Sequence, residues 1–170
     1  MGDFRGAAPG VLAERQVNTF LGTYRHTLDS KGRLSIPSKF RKATGEVFVL
    51  TLGLDGCLFF YPTEEWKRVQ KKLGALSFTS RKTRFFTREI AAHASEVAVD
   101  GHGRIVVPQE LRELAGLEKD VLVIGAIERI EIWSPERYRE YRDGFGMTYE
   151  EVAETLWDNP SDTTNDGGEE

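Results

Sequence analysis

The stretch LDSKGRLSIPSKF, Leu28–Phe40, is followed 71 residues later by VDGHGRIVVPQEL, Val99–Leu111. Aligned at that offset and extended by one residue, the two segments share Asp29/Asp100, Gly32/Gly103, Arg33/Arg104, Pro37/Pro108 and Arg41/Arg112. Leu28/Val99, Leu34/Ile105, Ile36/Val107 and Phe40/Leu111 are apolar in both. The match continues downstream with a small shift. EVFVL (Glu46–Leu50) answers DVLVI (Asp120–Ile124), and CLFFYP (Cys57–Pro62) answers IEIWSP (Ile130–Pro135). The repeating unit is about 45 residues long, and two copies are too few for a solenoid. They point instead to a pseudo-symmetric pair.

Each copy reads as strand, tight turn, strand, short helix, strand, turn, strand. The first strands are expected near Thr23–Leu28 and Glu96–Val99. Gly32 and Gly103 supply the backbone freedom that a tight turn needs. Arg33–Ile36 and Arg104–Val107 alternate polar and apolar residues, the pattern of a half-buried strand. Pro37 and Pro108 are expected at the first helical position, with Gly45 and Gly116 closing each helix. GLDG, Gly53–Gly56, marks a hairpin turn, and its counterpart falls at Glu128–Arg129. Four short strands make a poor core alone, so each copy is expected to complete the other. The expected core comprises Leu28, Leu34, Ile36, Phe40, Val47, Val49, Leu58 and Phe60 from the first copy. Val99, Ile105, Val107, Leu111, Val121, Val123, Ile130 and Ile132 come from the second.

Helices fill the intervals. Trp66, Val69, Leu73 and Leu76 recur at helical spacing, and Ser80 can cap a second helix carrying Phe85, Phe86 and Ile90. That helix opens with Arg81, Lys82 and Arg84, which oppose its dipole. They read either as a tolerated exposed face or as an anion site. Ser134-Pro135 starts a further helix with Tyr138 and Tyr141 on one side. TYEE, Thr148–Glu151, is a capping box for a last helix bearing Val152 and Leu156.

The chain has 170 residues, 39% of them hydrophobic, with a mean hydropathy of -0.41, as expected of a soluble globular protein. No apolar run approaches the ~18 residues of a membrane span. The segment MGDFRGAAPG lacks the basic start and apolar stretch of a secretory signal and reads as a flexible leader. The single Cys57 excludes an internal disulfide and reads as a small apolar residue in a strand. The net charge of -4 conceals an asymmetry. Residues 150–170 carry eight acidic and no basic side chains, leaving 23 basic against 19 acidic over residues 1–149. A mildly basic body with an acidic tail is compatible with a nucleic-acid partner. The tail after Trp157 has almost nothing to bury and reads as disordered.

No catalytic constellation is present. His26, His93 and His102 are scattered without metal-ligand spacing, and no nucleophile elbow, zinc-protease helix or Walker loop occurs. The G-x-G of DGHGR precedes a strand, not a helix, so it is a weak phosphate signal. Glu64 and Glu65 favour a helix start electrostatically and read as structural. No enzyme, metal, cofactor or small-molecule substrate is expected. Two readings of the Asp-Gly-Arg turns remain. Asp29 and Asp100 could simply cap their turns and pair with Arg33 and Arg104. Alternatively, each turn presents an Asp-oriented arginine to DNA. A guanidinium fork suits phosphate or guanine, and a two-stranded ribbon fits the major groove. Copy one is the more basic, with Arg25, Lys31, Arg33, Lys39, Arg41 and Lys42. Copy two sets Arg104 and Arg112 beside Glu110 and Glu113.

LGTYRHTLDSKGRLSIPSKFR (Leu21–Arg41), LDGCLFFYPTEEW (Leu54–Trp66), HASEVAVDGHGRIVVPQELRELAGL (His93–Leu117) and IEIWSPERY (Ile130–Tyr138) resemble the MraZ family of bacterial transcriptional regulators. The resemblance covers about residues 18–157. It implies a mostly β fold with flanking helices, in which two AbrB-like swapped-hairpin units form an intramolecular pseudo-dimeric β-barrel. The units would span residues 18–66 and 93–138, with a helical connector at 67–92, C-terminal helices at 139–157, a leader at 1–17 and a tail at 158–170. It further implies binding to direct repeats in the double-stranded promoter DNA of the protein's own division and cell-wall operon, as a repressor. Ring-like homo-oligomers in the cytoplasm, associated with the nucleoid and not with a membrane, are also implied. The family's D-x-x-x-R motif falls on Asp29/Arg33 and Asp100/Arg104. Arg33 and Arg104 are then the expected DNA contacts, helped by Lys31 and Arg25, with Asp29, Gly32, Asp100 and Gly103 shaping the loops. Two competing expectations are an antitoxin-like autorepressor and a ring-forming assembly protein without a DNA role.

Overall fold

The structure is a computed structural model and describes residues 19–42 and 47–158. The leader, the expected helix stop at Gly45 and the tail beyond residue 158 lie outside the described residues. The chain divides into two compact units, one ending at Ser134 and the other beginning at Pro135.

The first unit opens with β1 (Phe20–Thr27), the first Asp-Gly-Arg turn, β2 (Arg33–Ser35) and the short helix α1 (Ser38–Lys42). Strands β3 (Val47–Leu52) and β4 (Leu58–Pro62) follow, then helices α2 (Thr63–Gly74) and α3 (Arg81–Ala92). The second copy repeats the pattern as β5 (Ser95–Ala98), β6 (Arg104–Val106), α4 (Gln109–Leu114), β7 (Asp120–Ile127) and β8 (Arg129–Trp133). Six strands form one antiparallel sheet in the order β1-β7-β8-β4-β3-β5, while β2 and β6 pair separately as a ribbon.

That order exposes the symmetry. Exchanging each strand for its counterpart in the other copy and reading the sheet backwards returns the same order. β1 pairs with β7 of the other copy, and its counterpart β5 pairs with β3. The pairs β4–β8 and β2–β6 lie on the pseudo-two-fold itself. Each copy therefore lends its first strand to the other, and neither sheet half exists alone. Backbone hydrogen bonds do not close this sheet into a barrel, because β1 and β5 remain its edges. The ribbon supplies the remaining wall: β2 lies beside β1 and β6 beside β5. Its Leu34 and Ile105, paired in register, are both fully buried in the common core.

The core contains Phe20, Phe48, Leu50, Leu58, Phe60, Val121, Val123, Ile130 and Ile132 from the sheet. Phe48 stacks on Phe60 with ring centres 4.3 Å apart, and Phe40 of α1 meets Phe20 and Tyr24 edge-on. Fourteen of the sixteen expected core residues join this cluster or pack against it. The exceptions are in β3. Val47 is exposed, and Val49 is buried on the opposite face of the sheet, while Phe48 and Leu50 point inward. The sequence alignment had matched Val47 and Val49 to Val121 and Val123. The structure matches Phe48 and Leu50 to them, since Phe48 pairs with Val97 as Val121 pairs with His26. A slip of one residue turns every side chain of a strand to the other face.

The outer face around β3 and β4 is covered by α2 and α3. Tyr61 packs on Trp66, and the Thr51 hydroxyl donates to the Ile90 carbonyl over 2.7 Å. Ser80 caps α3 by accepting from the Thr83 amide. Of the cations in its first turn, Arg84 turns back to donate to the Phe78 and Thr79 carbonyls, so it serves the α2–α3 connection. Pro37 and Pro108 stand one residue before the position expected of them. Their carbonyls accept from the Arg41 and Arg112 amides, which places them at the N-cap. Gly116, with φ 61°, closes α4 in a Schellman motif: its amide bonds the Glu113 carbonyl and that of Leu117 bonds Arg112. Cys57 sits buried just before β4 and donates to the Leu54 carbonyl; burial pushes its thiol pKa up.

One close approach holds the exchanged strand. Gly125 of β7 faces Gly22 of β1, and a Cβ there would clash with the Leu21 nitrogen and stand 2.5 Å from the Phe20 carbonyl carbon. Both obstacles are backbone, so the strands must part. Gly125→Ala is expected to destabilise the protein by about 1–3 kcal/mol, read as a lower midpoint in thermal unfolding followed by circular dichroism.

The second unit holds α5 (Pro135–Asp143) and α6 (Tyr149–Asp158). The expected capping box is present. The Thr148 amide donates to Glu151 over 2.7 Å, and the Glu151 amide donates to the Thr148 hydroxyl over 3.2 Å. No helix among the described residues is long and apolar enough to cross a membrane.

Candidate nucleic-acid interface

The two Asp-Gly-Arg turns are wired alike. In the first, one carboxylate oxygen of Asp29 accepts from the Lys31 and Arg33 amides, both at 2.9 Å. Its other oxygen accepts from Arg33 Nε at 2.5 Å. The Gly32 amide donates to the Asp29 carbonyl, and the Asp29 amide to the Arg33 carbonyl. In the second, Asp100 accepts from the His102 and Arg104 amides at 2.8 and 3.0 Å, and from Arg104 Nε at 3.1 Å. The same two backbone bonds close it. Gly32 and Gly103 have φ of 75° and 77°, a left-handed conformation that glycine adopts without strain.

This wiring explains the residue pattern. The second residue after each Asp contributes only its amide, so lysine and histidine are interchangeable there without changing the turn. The arginine, by contrast, is held through Nε. Among the described residues, its terminal Nη nitrogens have no hydrogen-bond partner. The bond to Nε leaves them available and holds the plane of the guanidinium.

The amide donors also act on the acids. The backbone N–H of Arg33 beside Asp29, and that of Arg104 beside Asp100, are the main cause holding both carboxyls below the ordinary aspartate range. Because these pKa values are depressed on folding, the turn stability the acids contribute is present above the unfolded value. It is lost as pH falls through the lower folded value. In an NMR titration, the Lys31, Arg33, His102 and Arg104 amides are expected to shift with midpoints below about 3.9, the ordinary value for aspartate.

The ribbon sets the two arginines together. In its register Arg33 lies opposite Val106, Leu34 opposite Ile105, and Ser35 opposite Arg104. Leu34 and Ile105 face the core, so Arg33, Ser35, Arg104 and Val106 all face outward. From strand rise and spacing, the arginine Cα atoms stand about 8 Å apart across the pseudo-two-fold. Lys31 and His102 flank this face at the exposed turns. Arg25 is placed elsewhere. It lies on β1 opposite Leu122, exposed on the sheet's outer side, and no hydrogen bond or ion pair ties it to either turn among the described residues.

Two residues gain a role that was not apparent from their charge. Arg41 of α1 lies over Gly103 of the other copy, and Arg112 of α4 lies over Gly32. Their identity in both copies was the available signal; nothing in the sequence said that they reach across. Among the described residues no cluster of His, Cys, Asp or Glu could hold a metal ion.

Two β-hairpin units in one chain, exchanging strands and joined by a ribbon with an Asp-held arginine at each turn, define a fused pair of swapped-hairpin units. The family described as "MraZ protein, putative antitoxin-like" matches the chain twice, over residues 19–89 and 90–159. The chain belongs to the MraZ family. Relatives named Transcriptional regulator MraZ include that of Heliobacterium modesticaldum, 55% identical over 82% of this chain and 97% of the relative. Those of Acetivibrio thermocellus and Syntrophomonas wolfei are 50% and 48% identical, over 81% and 82% of this chain and 96% and 97% of theirs.

Proposed function

We propose that this protein is a sequence-specific DNA-binding transcriptional regulator, acting as a repressor at promoter direct repeats of its own division and cell-wall operon. The observation that carries this reading is the pair of arginines on one exposed ribbon face. Each is oriented by an aspartate and each keeps its terminal nitrogens free. A two-stranded ribbon is of a size to enter the major groove, where such a fork reads guanine O6 and N7. Arg33 and Arg104 are the base or phosphate contacts, Lys31 adds charge at the first turn, and Asp29, Gly32, Asp100 and Gly103 shape the turns. Arg25, exposed on β1 beside the ribbon's β2, adds further positive charge. The names of the relatives support regulation of transcription. Self-assembly into a ring and a cytoplasmic, nucleoid-associated location belong to the same reading. One subunit with two turns binds weakly, and several tethered subunits multiply that affinity through effective concentration.

The test is a mobility shift at about 150 mM salt, where non-specific contacts are weakened. The DNA immediately upstream of the gene is compared with unrelated DNA of equal length. Preferential retardation of the upstream fragment supports the proposal, and equal affinity for both fragments rejects sequence-specific regulation.

A further inference from the structure

We propose that Arg41 and Arg112 are positioning residues that act across the copies, each setting the Asp-Gly-Arg turn of the copy to which it does not belong. Three observations carry this. A Cβ on Gly103 would stand 2.5 Å from Arg41 Cζ and 2.6 Å from its Nη1; one on Gly32 would stand 2.9 Å from Arg112 Cζ. The guanidinium planes therefore cover the glycines at contact distance. Second, the carbonyls of the same glycines are held from the opposite copy. Gly103 accepts from the Ile36 amide and Gly32 from the Val107 amide, both at 2.9 Å. Third, the glycine is the residue immediately before Arg33 or Arg104, so its orientation sets where that arginine emerges. Each turn is consequently gripped on its inner side by the opposite copy and on its outer side only by its own aspartate.

The two buttresses differ. Arg41 Nε donates to the Ile36 carbonyl over 3.0 Å, which fixes its plane. Arg112 Nε is buried with no hydrogen-bond partner among the described residues. A buried donor without an acceptor carries a desolvation cost that its removal relieves. Arg112→Met is therefore expected to cost less stability than Arg41→Met.

The inference rests on the DNA-binding reading for what the turns do, but the positioning itself is measurable without DNA. Hydrogen exchange by NMR on the full chain is the first arm. Arg41→Met is expected to accelerate exchange at His102, Gly103 and Arg104 by about tenfold and to leave Lys31, Gly32 and Arg33 unchanged. Arg112→Met is expected to do the reverse. Arg41→Lys and Arg112→Lys, which keep the charge and lose the plane, should resemble the corresponding methionine variants, and they carry the test if the methionine variants do not fold. In the second arm, upstream DNA is titrated and followed by fluorescence anisotropy. Arg41→Met is expected to weaken binding about tenfold, the lower end of what loss of a base-contacting arginine causes. It should add nothing in an Arg104→Ala background and its full effect in an Arg33→Ala background. Perturbation confined to a variant's own turn, or to neither turn, overturns the inference. So does an Arg41 effect that adds to Arg104→Ala, because Arg41 would then touch DNA directly. Cross-copy exchange effects combined with full DNA binding by the Arg33 and Arg104 variants would uphold the positioning and reject the DNA reading.

Discussion

Replacing Arg33 and Arg104 together by alanine is expected to abolish the specific mobility shift while leaving the protein folded and its oligomeric mass unchanged. Each fork on a base edge contributes about 1–3 kcal/mol. With tenfold in affinity per 1.4 kcal/mol, each loss weakens binding by about 5- to 150-fold. In the proposed ring both losses would recur in every subunit, so tethering would multiply the defect as it multiplies affinity. Stability should hardly change, because both arginines are partly exposed and neither packs in the core. Four companion variants sharpen the result. Arg33→Lys keeps the charge but lacks the planar fork, so it should behave more like alanine than like wild type. Asp29→Ala keeps the fork but frees it, so affinity should fall even though the net positive charge of the turn rises. Arg33→Ala alone should cost more than Arg104→Ala alone, since the first turn carries Lys31 where the second carries His102. The double variant retaining full affinity would move the DNA surface away from the ribbon.

Much of this architecture was legible because the repeat was written in residues with few alternatives. Asp29, Gly32 and Arg33 recur at identical spacing in Asp100, Gly103 and Arg104, and a turn built on a positive φ and an Asp-held amide tolerates little else. The capping box at Thr148 and the cap at Ser80 were readable for the same reason: local hydrogen bonds demand particular residues at particular offsets. The phase of β3 was not readable. In EVFVL every residue after the glutamate is apolar, so alternation carries no signal. The sheet is buried on both faces at that point, by the core on one side and by α2 and α3 on the other. Only the pairing of Phe48 with Val97 decides which face is which. The reach of Arg41 and Arg112 was hidden for a different reason. Their contacts cross between copies that lie far apart in sequence, and identity at two positions says that a residue is needed without saying what it touches. The edges β1 and β5 likewise follow from the exchange of first strands, which a list of strands does not reveal.

Replacing Leu34 and Ile105 together by alanine is expected to have the largest effect on stability of any pair of substitutions in the ribbon. Both side chains are fully buried, they face each other in register on the pseudo-two-fold, and they are what the ribbon contributes from its centre to the core. A large apolar residue cut to alanine in a packed core costs about 2–5 kcal/mol, because the transfer energy is lost and the cavity only partly collapses. Two such residues in mutual contact do not add simply. Summed at the low end before that coupling, the pair amounts to about 4 kcal/mol, a large share of the roughly 5–15 kcal/mol that holds a typical domain together. The midpoint of urea unfolding should fall accordingly, with each single variant placed between. Val106→Ala is the control. Val106 is on the same ribbon but exposed, so its loss should stay within about 0.5 kcal/mol. The functional consequence separates anchoring from contact. Leu34→Ala leaves both arginines and both aspartates in place, yet loosens the floor on which the pair stands. Its DNA affinity should fall at temperatures where the bulk of the protein is still folded, whereas Arg33→Ala should lose affinity equally at every temperature below unfolding. A Leu34→Ala variant that kept wild-type stability would show that the ribbon is not a wall of the core. The two turns would then need another explanation for standing on one face.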